Sequence, residues 1–277
     1  MRIIAGEYRS RRLHTPKDAS VTRPIPDRVK VSLFGLLRGN CEGANVFDGF
    51  AGTGAIGLEA VSRGAARCVF VEKDKQIVRI LERNIADLGA GDRCEVVQGD
   101  ALGPGALSRC PRPLDLAFLD PPYPLVLDPA GWIRVRTQFM RLIDLLSDGG
   151  FAILRTPWPF THEIGGDTAP PDASPERSAE RRPERYQDRR ADRRSERRSR
   201  RSARPGSDEE VIEVTLDDAR GEDLEALLAE KLEEAEDAPA APARPRAPVD
   251  LTLPNAVGPE THVYHAMGVH LYMRKRA

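Results

Sequence analysis

Val46-Phe47-Asp48-Gly49-Phe50-Ala51-Gly52-Thr53-Gly54-Ala55-Ile56-Gly57-Leu58-Glu59 decides the fold. An apolar run ends in a carboxylate, a glycine-rich turn follows, and the chain then opens a helix-like stretch. Glycines at 52, 54 and 57 let the backbone pass close to a ligand where a Cβ would clash. Working outward, apolar β-type runs recur at residues 45–48, 68–72, 94–98, 114–120 and 150–154. Runs so nearly continuous suit strands buried on both faces. Between them Ile77, Ile80, Leu81, Ile85 and Leu88 repeat at three- and four-residue spacing, the mark of an amphipathic helix. Alternation of this kind predicts an α/β domain with a parallel sheet.

Composition narrows the classes. The 277 residues are 40% hydrophobic and 31% charged, with a formal net charge of −1. No stretch approaches the roughly 18 apolar residues of a membrane span, and residues 1–9 lack the apolar centre of a signal peptide. The expectation is a cytoplasmic protein with no membrane partner. Four scattered cysteines (Cys41, Cys68, Cys94, Cys110) show no metal-ligand spacing, so no metal is expected.

Near-neutrality conceals segregation of charge. Residues 1–40 carry nine Lys/Arg against three Asp/Glu. Residues 171–205 hold thirteen arginines and seven acids, whereas residues 207–237 hold fourteen acids and two bases. Such stretches bury too little apolar surface to offset ordering entropy. Residues 211–216 and the leucines 224, 227, 228 and 232 are two apolar islands within them. Strand character returns at residues 261–274, as a hairpin turned near Gly268. The expected plan is a basic N-terminal extension (1–40), a core (41–160), a disordered charged insert (161–250) and a C-terminal hairpin completing the sheet (251–277).

Glu72 ends the strand after the glycine turn, placed to accept from both ribose hydroxyls of a nucleoside. Taken alone, turn and acid fit a nicotinamide cofactor or a tight turn that binds nothing. Asp48 tilts the choice, because a carboxylate at the strand end repels a pyrophosphate and suits the amino acid end of S-adenosylmethionine. Asp100, after the third strand, stands where an acid can accept from an adenine amino group.

A second motif, Leu119-Asp120-Pro121-Pro122-Tyr123, ends the fourth strand at the sheet edge where open α/β folds bind ligands. Two prolines stiffen the corner. The Asp120 carboxylate and the Pro121 carbonyl offer two acceptors for the two N–H groups of an exocyclic base amine. Holding both would aim the nitrogen lone pair at a methyl donor, with positioning and electrostatics carrying the rate. Tyr123 offers a face for stacking a flipped base.

These motifs, with Arg2-Ile3-Ile4-Ala5-Gly6, Arg11-Arg12-Leu13, Thr22-Arg23-Pro24, Asp27-Arg28-Val29-Lys30 and Ser62-Arg63-Gly64-Ala65, resemble the bacterial 16S rRNA guanine-N2 methyltransferases of the guanine 966 type. The resemblance covers residues 1–157 and 261–274. It implies a Rossmann-like seven-stranded fold with a C-terminal antiparallel hairpin. It implies S-adenosylmethionine held by Asp48, Gly52, Gly54, Glu72 and Asp100, and a target guanine held by Asp120, Pro121, Pro122 and Tyr123. The implied partner is 16S rRNA or the small ribosomal subunit particle, with Arg23 and Arg28 beside cofactor and RNA. Ile25-Pro26 departs from the family, which usually has Thr after the Arg-Pro pair.

Arg2, Arg9, Arg11, Arg12 and Lys17 are candidate phosphate contacts. The arginine-rich insert would serve as a sequence-blind RNA tether or as an inert excursion. Three other classes remain to be tested: an amino-methyltransferase of adenine N6 or cytosine N4, a nicotinamide-dependent oxidoreductase, and a non-catalytic RNA-binding protein.

Overall fold

The apolar runs become strands of one sheet. The computed structural model describes residues 1–16, 25–163 and 245–276. In it β1 (Asn45–Gly49), β2 (Arg67–Glu72), β3 (Cys94–Gln98), β4 (Leu114–Leu119) and β5 (Leu146–Pro157) run parallel. A short antiparallel ribbon follows, made of β6 (Thr161–Glu163) and β7 (Arg246–Pro248). An antiparallel hairpin, β8 (Ala256–Tyr264) and β9 (Met267–Arg274), then closes the main sheet against β5. The strand order is β3-β2-β1-β4-β5-β9-β8, a Rossmann-like seven-stranded sheet with a C-terminal antiparallel hairpin, as the resemblance implied.

Period-two alternation explains why the runs read as continuously apolar. Val46, Cys68, Phe70, Leu116 and Phe118 face one core, while Phe47, Val69, Val71, Ala117 and Leu119 face another. Both faces are covered, as a parallel sheet requires. The first core takes α1 (Asp27–Leu36), α2 (Gly57–Ser62) and α3 (Lys75–Leu88). The second takes α4 (Pro104–Arg109), α5 (Tyr123–Leu127) and α6 (Pro129–Asp144). Helix α3 has a defined start and stop. Asp74 accepts from the N–H groups of Gln76 (2.7 Å) and Ile77 (3.3 Å), and Gly89 ends the helix in the left-handed region (φ 67°).

Three sequence expectations meet a different structure. The hairpin turns at His265-Ala266, because Gly268 is already in β9. Gly268 is small for a packing reason: a Cβ there would approach the His270 ring to 2.9 Å. Residues 161–163 and 245–250, expected within the disordered insert, form the β6–β7 ribbon and its continuation; Phe160 and Leu253 beside it are buried. The remainder of the insert, with its two apolar islands and its arginine-rich run, lies outside the described residues.

The third concerns the N-terminus, where residues 1–16 pack as part of the core. Ile3, Tyr8 and Leu13 are buried. Fully buried Glu59 of α2 accepts from the N–H groups of Ile4 (2.7 Å) and Ala5 (3.0 Å) and pairs with Arg63 (2.9 Å). Lys30 Nζ, also fully buried, lies 3.7 Å from Glu59 and donates to the Arg2 carbonyl. Gly6 crosses Ser62 so closely that a Cβ would stand 1.7 Å from the Ser62 carbonyl oxygen. A basic surface is laid over an anchored, apolar underside.

Candidate active site

The order of the strands puts a crevice between β1 and β4, where the connections turn in opposite directions across the sheet. Asp48 ends β1, and Asp120 follows β4 one rung beyond the Gly49–Leu119 pair. The crevice opens into a cleft of about 1030 Å³, roomy enough for a nucleoside-sized ligand with a second group beside it. Asp48, Gly52, Glu72, Asp100, Asp120, Pro121, Pro122 and Tyr123 all line this cleft. Gly54 supports it from behind, with a left-handed φ of 87° and Leu81 and Leu58 too close to admit a Cβ.

Hydrogen bonds inside the glycine turn are already made. Gly52 N–H donates to Glu72 Oε2 (2.9 Å), Gly54 N–H to the Ala51 carbonyl (2.9 Å), and Gly57 N–H to Asp48 Oδ2 (2.8 Å). Glu72 Oε1 accepts from Lys73 N–H (2.8 Å) and Asp74 N–H (2.9 Å). A pyrophosphate needs those backbone donors free, and here those of Gly52 and Gly57 are spent on carboxylates and that of Gly54 on a backbone carbonyl. Gly52, at φ 55°, has open space where its Cβ would be. A cleft with five acids on its walls (Asp48, Glu72, Asp74, Asp100 and Asp120) and an open glycine suits a cationic nucleoside, the donor chemistry of S-adenosylmethionine, and opposes a dinucleotide.

Asp48 is almost wholly buried, and burial pushes its carboxyl up to about 7. The Gly57 N–H opposes that rise, while Asp120 and Glu72 add to it. A charged amine bound nearby would restore the ionised form. Asp100 is partly engaged: Oδ1 accepts from Leu102 N–H (2.9 Å), and Arg134 of α6 lies 3.2 Å from Oδ2. Gln138, also of α6, holds the same loop by donating to the carbonyls of Ala101 (2.9 Å) and Gly103 (3.3 Å).

The opposite wall carries a residue that the sequence reading missed. Arg155 of β5 places Nε 2.5 Å from Asp120 Oδ1, with both side chains nearly buried (11% and 15% exposed). Oδ1, Nε and Nη1 nevertheless lack a hydrogen-bond partner, so the contact is a bent ion pair. Burial raises the Asp120 carboxyl, and the guanidinium pulls it back down. The available signal was a lone arginine at the end of Phe151-Ala152-Ile153-Leu154. Met1 and Ile25 also line the cleft, which brings the N-terminal segment to its rim.

The predicted RNA contacts divide into two sets. Arg2 pairs with Asp27 (2.9 Å), and Arg11 donates to the Asp87 carbonyl (2.7 Å). Arg9, Arg12 and Arg28 are exposed with no ion pair among the described residues. Arg23 and Lys17 lie outside the described residues. Among the described residues no cluster of His, Cys, Asp or Glu is placed to hold a metal ion, and no helix is long and apolar enough to cross a membrane.

Residues 1–158 match the family described as Conserved hypothetical protein 95. The chain belongs to that family. It is 40% identical over 123 residues to ribosomal RNA small subunit methyltransferase D of Escherichia coli K12, a stretch covering 44% of this chain and 60% of that protein. It is 35% identical over 124 residues to the putative rRNA methyltransferase YlbH of Bacillus subtilis 168, covering 44% of this chain and 67% of that one. The match thus spans about three fifths of the first relative's length. Among solved structures, the putative methyltransferase yhhF from Escherichia coli aligns with a TM-score of 0.51 and 22% identity, covering 99% of this chain and 98% of that one. At that identity the likeness speaks to the fold, which this member of the family shares.

Proposed function

We propose that the chain transfers a methyl group from S-adenosylmethionine to the exocyclic N2 of a guanine in 16S rRNA, of the guanine 966 type. The observation that carries this reading is the consumption of the glycine-loop N–H groups by Glu72 and Asp48. That pattern favours a cationic nucleoside over a pyrophosphate and fits the methyltransferase names of the relatives.

Glu72 would accept from the ribose hydroxyls through the lone pairs its backbone donors leave free. Asp48 would meet the amino acid end, and Asp100 the adenine edge. S-adenosylmethionine supplies an electrophilic methyl on a sulfonium sulfur.

The remaining work falls to the corner after β4. Asp120 Oδ2, the carboxylate oxygen other than the one 2.5 Å from Arg155 Nε, and the Pro121 carbonyl accept the two N–H groups of the amine. That grip reduces delocalisation of the nitrogen lone pair into the ring and orients it for attack. Forming the N–C bond as the methyl leaves the sulfonium, whose electron pair stays on a neutral thioether sulfur, would give the nitrogen one proton too many, which passes to the adjacent carboxylate and then to water. Pro122, which caps α5, fixes the turn that presents Tyr123, and the phenol ring would stack on the extruded base. Arg9, Arg12 and Arg28 would contact phosphates; an RNA partner places the enzyme in the cytoplasm.

The test is methyl transfer from labelled S-adenosylmethionine to small-subunit RNA, followed by nucleoside analysis. N2-methylguanosine is expected. N6-methyladenosine or N4-methylcytidine would transfer the assignment to the sister amino-methyltransferases. Absence of S-adenosylmethionine binding would leave a non-catalytic RNA-binding protein.

A further inference from the structure

We propose that Arg155 is a positioning residue of this site, which holds Asp120 as a fixed carboxylate with one oxygen free for the amine. The inference rests on the reading of Asp120 given above, and the experiment separates the two.

Register makes the pairing a property of the sheet. Leu119 of β4 pairs with Leu154 of β5, so Asp120 and Arg155 occupy the next rung. On the side away from the open cleft their surroundings offer little screening. A small void of about 10 Å³ beside them is lined by Ile25, Ile56, Phe118, Ile153 and Val269. That is space for at most about one water, with only Asp120 and Arg155 themselves as polar lining. The charge that acts on Asp120 is Arg155 from β5, while Asp120 in turn adds to the rise at Asp48 on β1. Ile25 and Ile56, from the segments leading into α1 and α2, and Val269 of β9 bring only apolar atoms.

A nearly buried guanidinium set against a nearly buried carboxylate is an expensive way to fill space. Its placement makes sense if the carboxylate must remain an acceptor. A protonated Asp120 would present a hydroxyl to the amine and lose one of the two grips. Without Arg155, burial acts unopposed to hold the proton on. The acidic limb of methyl transfer would then move to higher pH, since the active form is the deprotonated one.

The full chain, labelled with 13C at the aspartate carboxyl carbons, would be titrated by NMR, with Asp120→Asn assigning the resonance. Arg155→Met and Arg155→Gln remove the charge, and Arg155→Lys keeps it. Single-turnover transfer would be followed from about pH 5.5 to about pH 9.5 at saturating S-adenosylmethionine. In the neutral variants the Asp120 midpoint should rise by at least about one pH unit, equivalent to a tenfold shift in the protonation equilibrium. The acidic limb of transfer should move to higher pH by the same interval, so that transfer falls about tenfold at pH values below the wild-type midpoint and recovers towards about pH 9. Arg155→Lys should return the midpoint to within about half a unit of wild type. An unmoved midpoint in both neutral variants, or a loss of transfer equal at every pH, would overturn the proposal. If wild type methylates no RNA while the midpoint still shifts, the assigned reaction fails and the positioning role stands. If wild type methylates and the midpoint does not move, the reverse holds.

Discussion

The two walls of the cleft are built on opposite terms. On the β1–β2 wall the acids are tied down: Glu72 takes three backbone N–H groups, and Asp48 takes one. On the β4–β5 wall the acid faces a guanidinium at 2.5 Å, and the buried atoms Oδ1, Nε and Nη1 have no hydrogen-bond partner. The first wall has the character of a preformed socket. The second stores charge without satisfying it, as sites do where a reacting group must be gripped and released. Binding and chemistry should therefore separate by wall when each is mutated.

The largest effect is expected on the chemical wall. Asp120→Ala should lower single-turnover methyl transfer by roughly 10³-fold, the range found when one preorganised contact to a reacting group is removed. Calorimetric affinity for S-adenosylmethionine should change only a few-fold. A matching loss of affinity would erase the distinction between the walls.

Glu72→Ala should act the other way. Three N–H groups lose their acceptor, so the glycine turn loosens, and affinity for S-adenosylmethionine should fall about 10²-fold with roughly 2 kcal/mol of stability. Titration calorimetry and urea unfolding would measure both. Unchanged affinity would mean that the turn is structural only.

Asp48→Asn sharpens the comparison through its sign. Burial raises the Asp48 carboxyl to about 7 from its ordinary value of 3.8. A raised acid destabilises the fold above the higher value, and that penalty vanishes as pH falls below the lower one. The variant should therefore gain about 1–3 kcal/mol in urea unfolding at pH 8, gain nothing near pH 4, and bind S-adenosylmethionine less tightly. Destabilisation at pH 8 would show that the Gly57 hydrogen bond outweighs the buried charge.

The smallest effect lies outside the cleft. Arg9→Ala and Arg12→Ala should each weaken RNA binding a few-fold and reduce the slope of log affinity against log salt by about 1. Arg11→Ala should change the slope less, because its guanidinium already donates to the Asp87 carbonyl. Filter binding across a salt series distinguishes these outcomes.

The same contrast explains what was legible in the sequence. The socket wall is local: strand, glycine turn and acid lie within residues 46–72, so spacing alone brings Asp48, Gly52 and Glu72 together. The sheet was equally readable, because burial on both faces leaves continuous apolar runs. Arg155 is 35 positions from Asp120, and only the β4–β5 register joins them. No local pattern encodes that register. Glu59 was missed for a similar reason. It reads as an ordinary helix acid, yet it is fully buried and collects N–H groups from residues about 55 positions earlier. That contact turns the basic N-terminus into part of the core. At the hairpin, Gly268 looked like a turn and proved to be a packing glycine, while His265 took the left-handed conformation at φ 54°.

A structure with the demethylated cofactor and a guanine-containing RNA fragment bound would test the central claim most directly. The account predicts the guanine amino nitrogen within about 3 Å of Asp120 Oδ2 and the Pro121 carbonyl, with the Tyr123 ring against the base. A base amine held elsewhere, with the Asp120 corner turned from the sulfur, would contradict it.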